Sequence, residues 1–332
     1  MTTGYEPMLM RQERGRAWRL SPRRLATMLT NLPPEAISLA AAEEMLQHEN
    51  FNLRYHAATL LSQRGDREAR LIMEKALVHP SAPVRASVAR HLDGFSWFVA
   101  EPMLRQALQD ADARVREGAV YALCSFGSPA AMQLLMQVLV GENDDVLQAA
   151  AIGLRKHTTP DAVPVLNLVL QAVDPLVRGR SLESLGANQT SDAAAAVRRM
   201  LLTDPDPDVQ YEAMQSLVEL LEATVLAEIP DILHNSSGLY RHARLRGLLH
   251  ACNYVGVNIE TSPYCTQILE ALADCSHDES EMVRLQTTYL LAWIKHPRAT
   301  ELLEQAVAAE VDEVLKAQMT SIGVSLGAIA VG

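Results

Sequence analysis

Aromatic residues are scarce: four Phe, eight Tyr and three Trp make up 5% of 332 residues. A β-sandwich core draws on more aromatic and β-branched side chains than that. The four cysteines, Cys124, Cys252, Cys265 and Cys275, contain no C-x-x-C pair. Neither a disulfide framework nor a zinc ribbon is therefore expected, and a reducing, cytoplasmic compartment suits the chain. No run of 18 or more apolar residues occurs, so no transmembrane segment is predicted. The first 30 residues lack the continuous apolar stretch of a signal peptide. Positive charge is short as well. Arg11, Arg14, Arg16, Arg19, Arg23 and Arg24 against Glu6 and Glu13 give residues 1–30 a charge of +4, so the overall −11 leaves −15 for the rest. An acidic body speaks against wrapping nucleic acid, where Lys and Arg must displace counterions from phosphates. Residues 1–20 read as a basic, solvated arm.

What the chain has in quantity is a period. A nine-residue block of the form V-R-x-x-A-x-x-x-L begins at Leu53, Val84, Val115, Val146, Val177, Val209, Tyr240, Val283 and Val314. Successive starts lie 31, 31, 31, 31, 32, 31, 43 and 31 residues apart. Counting from zero, positions 0, 4, 7 and 8 are mostly apolar, which lines one face at 3.6 residues per turn and predicts a helix. Three residues ahead of each block stand Asn50, Ser81, Asp112, Asn143, Asp174, Asp206, Ser237, Ser280 and Val311. All but Val311 can accept from the free N–H groups of a first helical turn. Between blocks a second helix is predicted, for example Asp66 to Leu77, Ser128 to Val140, Thr159 to Leu170, Ser191 to Leu202 and His296 to Val307. Neither helix of such a pair can bury its apolar face alone, so the pairs must stack.

The pattern L-x-x-L-L-x-D-x-D-x-x-V-R-x-x-A-x-x-A-L-G, plain in Gln133–Leu154 and Met200–Leu217, resembles the short HEAT-like repeat of the E-Z type, named after phycobilisome lyases. The resemblance covers roughly residues 34–325. It implies an all-α fold: a right-handed α-solenoid, or α-α superhelix, of about nine HEAT-like helix pairs spanning 1–332. Residues 21–33 are expected to form an N-terminal cap helix, and 252–263 an insertion loop that accounts for the 43-residue interval. Relatives with this repeat include scaffolds, chaperones, bilin lyases and a di-iron hydroxylase, so the repeat specifies fold rather than function.

Chemistry-bearing patterns are thin. The recurring Arg54, Arg85, Arg116, Arg178, Arg241 and Arg284 are expected to bond the inter-repeat loops, with Asp112, Asp145 and Asp208 as acceptors, rather than to bind phosphate. The His-Glu pairs of the di-iron hydroxylases are missing from the third and fourth block positions, where His242-Ala243 and Tyr211-Glu212 stand instead. The group His242, His250, Cys252, Cys265 and His277 has no recognised ligand spacing. No metal, no cofactor and no catalytic residue is assigned.

Positions 2, 3, 6 and 10 of each block helix should point away from the buried stripe into the concave groove of the solenoid, the face expected to bind. They carry Tyr55, Tyr121, Tyr211 and Tyr289, with Arg90 and Arg246. In the block from Val283, Leu285, Tyr289 and Trp293 follow at i, i+4 and i+8. Tyr, Trp and Arg are the residue types enriched in binding hot spots, so these eight are the expected partner-binding residues. The expected function is a non-catalytic protein-binding scaffold or adaptor whose partner is another protein or peptide. The alternative is a bilin lyase-like or chaperone-like helper holding a small apolar ligand. The apolar end from Ile322 onward is expected to dock a partner or a second copy.

Overall fold

The computed structural model describes residues 38–236 and 238–329. The arm 1–20, the cap helix 21–33 and the Ser237 cap lie outside the described residues. By its contacts the chain divides into two compact units, one ending at Phe126 and one beginning at Gly127. The first contains α1 (Leu39–Leu46), α2 (Phe51–Arg64), α3 (Arg67–Ala76), α4 (Ala82–Ala89), α5 (Trp97–Ala107) and α6 (Ala113–Phe126). The second contains α7 (Pro129–Val138), α8 (Asp144–Leu154), α9 (Ala162–Val169), α10 (Pro175–Gly186), α11 (Ser191–Thr203) and α12 (Pro207–Leu221). It continues with α13 (Ile229–His234), α14 (Gly238–Val255), α15 (Cys265–Cys275), α16 (Glu281–Trp293), α17 (Pro297–Ala309) and α18 (Glu313–Ser325). No strand occurs among the described residues.

Every block begins in an even-numbered helix, and the block from Val84 runs past the end of α4 into a 3-10 turn at Leu92–Gly94. Within each unit these helices pack side by side, and each is backed by odd-numbered partners. The architecture is an α-solenoid. Its core is the predicted stripe: Val84, Val88 and Leu92 in one pair, Val115, Ala119 and Leu123 in the next, all buried. Fully burying a Val or Leu side chain is worth about 1.5–3 kcal/mol, so each pair contributes through its contact with the next. Polar groups inside the stack are bonded across helices. Ser184 of α10 donates to the Ala151 carbonyl of α8 at 3.0 Å, and Ser181 donates to Leu166 of α9 at 2.9 Å.

The caps follow the sequence at most blocks, although Ser81 and Ser280 stand in the N-cap place without a side-chain hydrogen bond to the first turn. Asn50, Asn143 and Asp174 accept from first-turn N–H groups. Asp112 and Asp206 do likewise. The helix α2 stops at Gly65, whose φ of 59° gives the left-handed turn that a glycine adopts without strain. One register was misread. The last block begins at Leu315 rather than Val314, because Val314 is 70% exposed while Leu315 is 6% exposed. Asp312, not Val311, is accordingly the N-cap, accepting from Val314 and Leu315. In the insertion, residues 252–255 continue α14, which buries Cys252, and the non-helical stretch runs from Gly256 to Tyr264.

Candidate functional site

The recurring arginine serves the loops. Arg85 Nη1 donates to the carbonyls of His79 and Pro80 at 2.8 and 3.1 Å. Arg178 does the same to Ala172 and Val173, Arg284 to Asp278 and Glu279, and Arg116 to Asp110 and Ala111. The other half of the fork takes a carboxylate from the next repeat's loop. Arg85 holds Asp110 at 2.7 and 2.8 Å, Arg178 holds Asp204 at 2.8 and 2.9 Å, and Arg284 holds Glu310 at 2.8 and 3.3 Å. Arg241 also pairs with the next loop's Asp278, but with its fork turned: Nη1 holds the carboxylate and Nε donates to the Leu233 carbonyl. These four acids stand five residues before a block, once the last block is set at Leu315.

The expected acceptors were therefore wrong by position. Asp112 pairs with Arg114 at 2.7 Å, and that hydrogen bond holds its carboxyl at about 2. Asp208 pairs with Arg246 at 3.0 Å, and Asp145 lies in the first turn of α8. The reason is reach. A side chain at block position 1 points back along the helix toward its own N-terminus and so meets the loop below it and the start of the loop beside it. Arg85 also pulls Asp110 below the ordinary carboxylate range, and Arg284 does so to Glu310.

With the loops accounted for, the outward faces of the block helices remain. In the first unit, the Arg90 guanidinium lies 4.0 Å from the Tyr121 ring centre, with Glu117 at 3.8 Å. Tyr55 is apart from this pair: it stands edge-on to the buried His91 at 4.5 Å and near Phe51 at 5.9 Å. Burial lowers the His91 pKa against the opposing effect of its Nδ1 bond to the Ser87 carbonyl.

In the second unit the Arg246 guanidinium lies 4.0 Å from the Tyr211 ring centre while bonding Asp208. His250 bonds Gln215 through Nδ1, lies 6.0 Å from Tyr211 and packs 4.3 Å from Tyr254. Tyr254 is 79% exposed. Arg246, His250 and Tyr254 thus follow at i, i+4 and i+8 along α14. Tyr254 was missed because it lies beyond the nine-residue block; the signal was the apolar pattern continuing through α14 toward the insertion. Burial pushes up the Glu212 carboxyl beside this group, helped by repulsion from Glu183.

The stripe Leu285, Tyr289 and Trp293 is not uniformly open. Leu285 is half-buried against Ala306, Leu315 and Met319, because α18 packs across the start of α16. Tyr289 is exposed. Trp293 is half-buried and lines a cavity of about 530 Å³ between Gly256–Glu260 of the insertion, the end of α16 and Ser325-Leu326 at the end of α18. Among the described residues no group of three or more His, Cys, Asp or Glu is placed to hold a metal ion. Cys252 and Cys275 are buried, which pushes both thiols up to about 12. No helix of the described residues is long and apolar enough to cross a membrane.

Comparison with known proteins agrees with this geometry. No curated protein matches the chain. YibA of E. coli has a similar structure, with 15% identity over 92% of this chain and 98% of YibA, and a TM-score of 0.50. The karyopherin Kap121p bound to the extreme C-terminus of the phosphatase Cdc14p is 14% identical over 92% of this chain, with a TM-score of 0.62. Kap121p bound to Nup53p is 15% identical, with a TM-score of 0.61. The chain spans 38% of the length of the karyopherin. At such identities the likeness is one of fold. The model of HEAT repeats matches residues 73–155, 101–171, 135–218 and 163–249, more than half of the sequence. With the same helix pairs in the structure, the chain belongs to the HEAT-repeat family.

Proposed function

We propose that the protein is a non-catalytic scaffold that binds a segment of another protein along the outward faces of its block helices. The observation that carries this reading is the α12–α14 surface. There a guanidinium covers Tyr211, and His250 leads to the open ring of Tyr254. An aromatic side chain left this exposed beside stacked polar groups has the composition of an interface centre. Arg90 over Tyr121 repeats the pairing in the first unit. Kap121p, of like fold, is bound to the end of Cdc14p and to Nup53p, which is compatible with peptide capture by this kind of helix array. The test is capture from native lysate by the wild type, by Tyr211→Ala/Tyr254→Ala and by Leu202→Ser on the backing layer. The expected result is one partner held by wild type and Leu202→Ser but lost from the double variant. Equal capture by all three would remove the α12–α14 surface from consideration, and no capture by any would sink the scaffold reading.

A second reading draws support from the cavity beside Trp293, whose volume lies within the usual range for small ligands. In it the protein is a helper of the E-Z lyase type that holds a small apolar ligand, such as a linear tetrapyrrole. Titration with bilin would then shift the visible absorbance band for the wild type and not for Trp293→Ala. An unshifted band with both proteins would count against it.

A further inference from the structure

The cavity beside Trp293 stands in a negative field. Three helices end at it: α14 just before Gly256, α16 at Trp293 and α18 at Ser325. Each helix end gathers carbonyl groups and about half a negative charge. The Ile294 N–H closes α16 on the Leu290 carbonyl, and the Ala292 and Trp293 carbonyls receive no donor among the described residues. Ser325 donates its hydroxyl proton to the Ile322 carbonyl at 2.9 Å, which leaves its oxygen free to accept. Glu260 adds a carboxylate to the wall, and it enters no ion pair or hydrogen bond among the described residues. The opposing charge on the wall is Lys295, which follows the C-cap of α16 and is exposed.

The surroundings carry the same sign. From Gly127 onward the chain holds 26 Asp and Glu against 13 Lys and Arg, a net charge of −13, whereas residues 38–126 hold 11 against 10. A field of that sign draws cations. The apolar part of the wall, Val257, Trp293, Ile294 and Leu326, suits the aliphatic stem of a long cationic side chain. A guanidinium over an aromatic ring is also the pairing this chain makes with itself, Arg90 over Tyr121 and Arg246 over Tyr211, each at 4.0 Å. Trp293 has no such cation of its own among the described residues. An indole offers the best aromatic face for a cation, and a planar guanidinium stacks on it as an ammonium does not.

We propose that this cavity binds an arginine side chain carried by the partner segment. The guanidinium lies on Trp293, with Glu260 and the carbonyl end of α16 as its acceptors, and its stem lies along the apolar wall. The proposal rests on the scaffold reading and adds to it the charge of one residue of the partner. It shares only the cavity with the small-ligand reading, so an unshifted bilin band would leave it standing.

The probe is N-acetyl-arginine N-methylamide, an arginine between two peptide groups. The readout is the Trp293 indole N–H resonance of the full-length protein, identified by its absence in Trp293→Phe. This signal is expected to move and saturate, while that of Trp97 stays in place. The citrulline counterpart keeps the shape and loses the charge, and should leave the Trp293 signal where it is. Glu260→Gln should weaken binding by about two- to fivefold, as expected for one exposed charge pair. Lys295→Met removes the opposing charge and should tighten binding by a similar factor. A Trp293 signal indifferent to the arginine probe in both wild type and Lys295→Met would overturn the proposal, and so would an equal shift with the citrulline counterpart. Tighter binding of n-propylguanidinium than of the peptide-like probe would give the cavity to a free small cation and overturn the assignment to a partner's arginine. Capture from lysate that persists beside any of these results would keep the scaffold reading while this site is lost.

Discussion

A single buried guanidinium decides the loop geometry at Arg178. Its partner Asp204 is 5% exposed, and both are removed from water together with the Ala172 and Val173 carbonyls. Truncating one member of a buried pair strands the other charge, which costs about 3–5 kcal/mol. Arg178→Ala should therefore lower the urea midpoint strongly, and Arg178→Lys should restore little of it, because an ammonium cannot span both carboxylate oxygens. Arg114→Ala, whose pair with Asp112 is open to solvent, should leave the urea midpoint close to that of the wild type. If the two alanine variants unfold at the same midpoint, burial is not what gives the ladder its strength. At this scale the sequence spoke selectively. It marked Arg178 as structural through its recurrence, but it pointed to Asp208 rather than Asp204, since spacing along the chain does not say which way a side chain leans. It gave no sign of Arg244, which is buried and bonds only uncharged oxygens, of Gln210, Ile232 and Leu201. That residue sits at block position 4, where the pattern calls for alanine.

Between helices, closeness is set by small residues at the crossing points. Gly247 of α14 lies against α12, where an added Cβ would stand 2.7 Å from the Tyr211 carbonyl and 2.9 Å from Met214 Cβ. Backbone cannot yield as a side-chain tip does, so Gly247→Ala should destabilise by about 1–3 kcal/mol. It should also disturb the Arg246–Tyr211 stack, visible as a change in tyrosine emission. Gly179 of α10 meets only Glu212 Cγ at 3.6 Å. Gly179→Ala should thus stabilise by roughly 0.5–1 kcal/mol, the helix-interior penalty of glycine. Opposite signs for the two substitutions in urea melts would support this; a loss at both would show that Gly179 is as crowded as Gly247. The loops between helices add a pH dependence. Arg284 and the N–H groups of Asp312 and Val311 hold the Glu310 carboxyl below its ordinary value. Its contribution is present in full above the unfolded glutamate pKa of about 4.3 and is lost as pH falls through the folded value. Glu310→Gln should be less stable than wild type at pH 7, with the gap closing toward pH 2 in parallel melts. Helix positions were the best-read level of all, because period and caps agreed. The one slip, at Val314, came where the chain reads V-D-E-V-L and two apolar residues compete for the same place.

Across the molecule, a solenoid joins many small cores in series, so each helix pair is stabilised by its neighbours rather than by one central core. The 31-residue period runs through Phe126 and Gly127 without a break, which is why the division into two compact units could not be read from spacing: a period counts residues, not contacts. The outward faces were legible as residue types at fixed positions, yet only the folded helices revealed that Leu285 is covered while Tyr254 is open. Serial architecture has a measurable consequence inside the second unit. Leu303 of α17 is fully buried between α16 and α18, and Leu303→Ala should cost about 2–5 kcal/mol of packing. In a protein with one shared core that loss would be felt throughout. Here it should fall on the last pairs, so amide exchange in α16 to α18 should speed up markedly while α8 to α10, several pairs away, keep their wild-type protection. Uniform acceleration from α8 to α18 would mean that the pairs of this unit unfold as one block and that their stability is not the sum of neighbouring contacts.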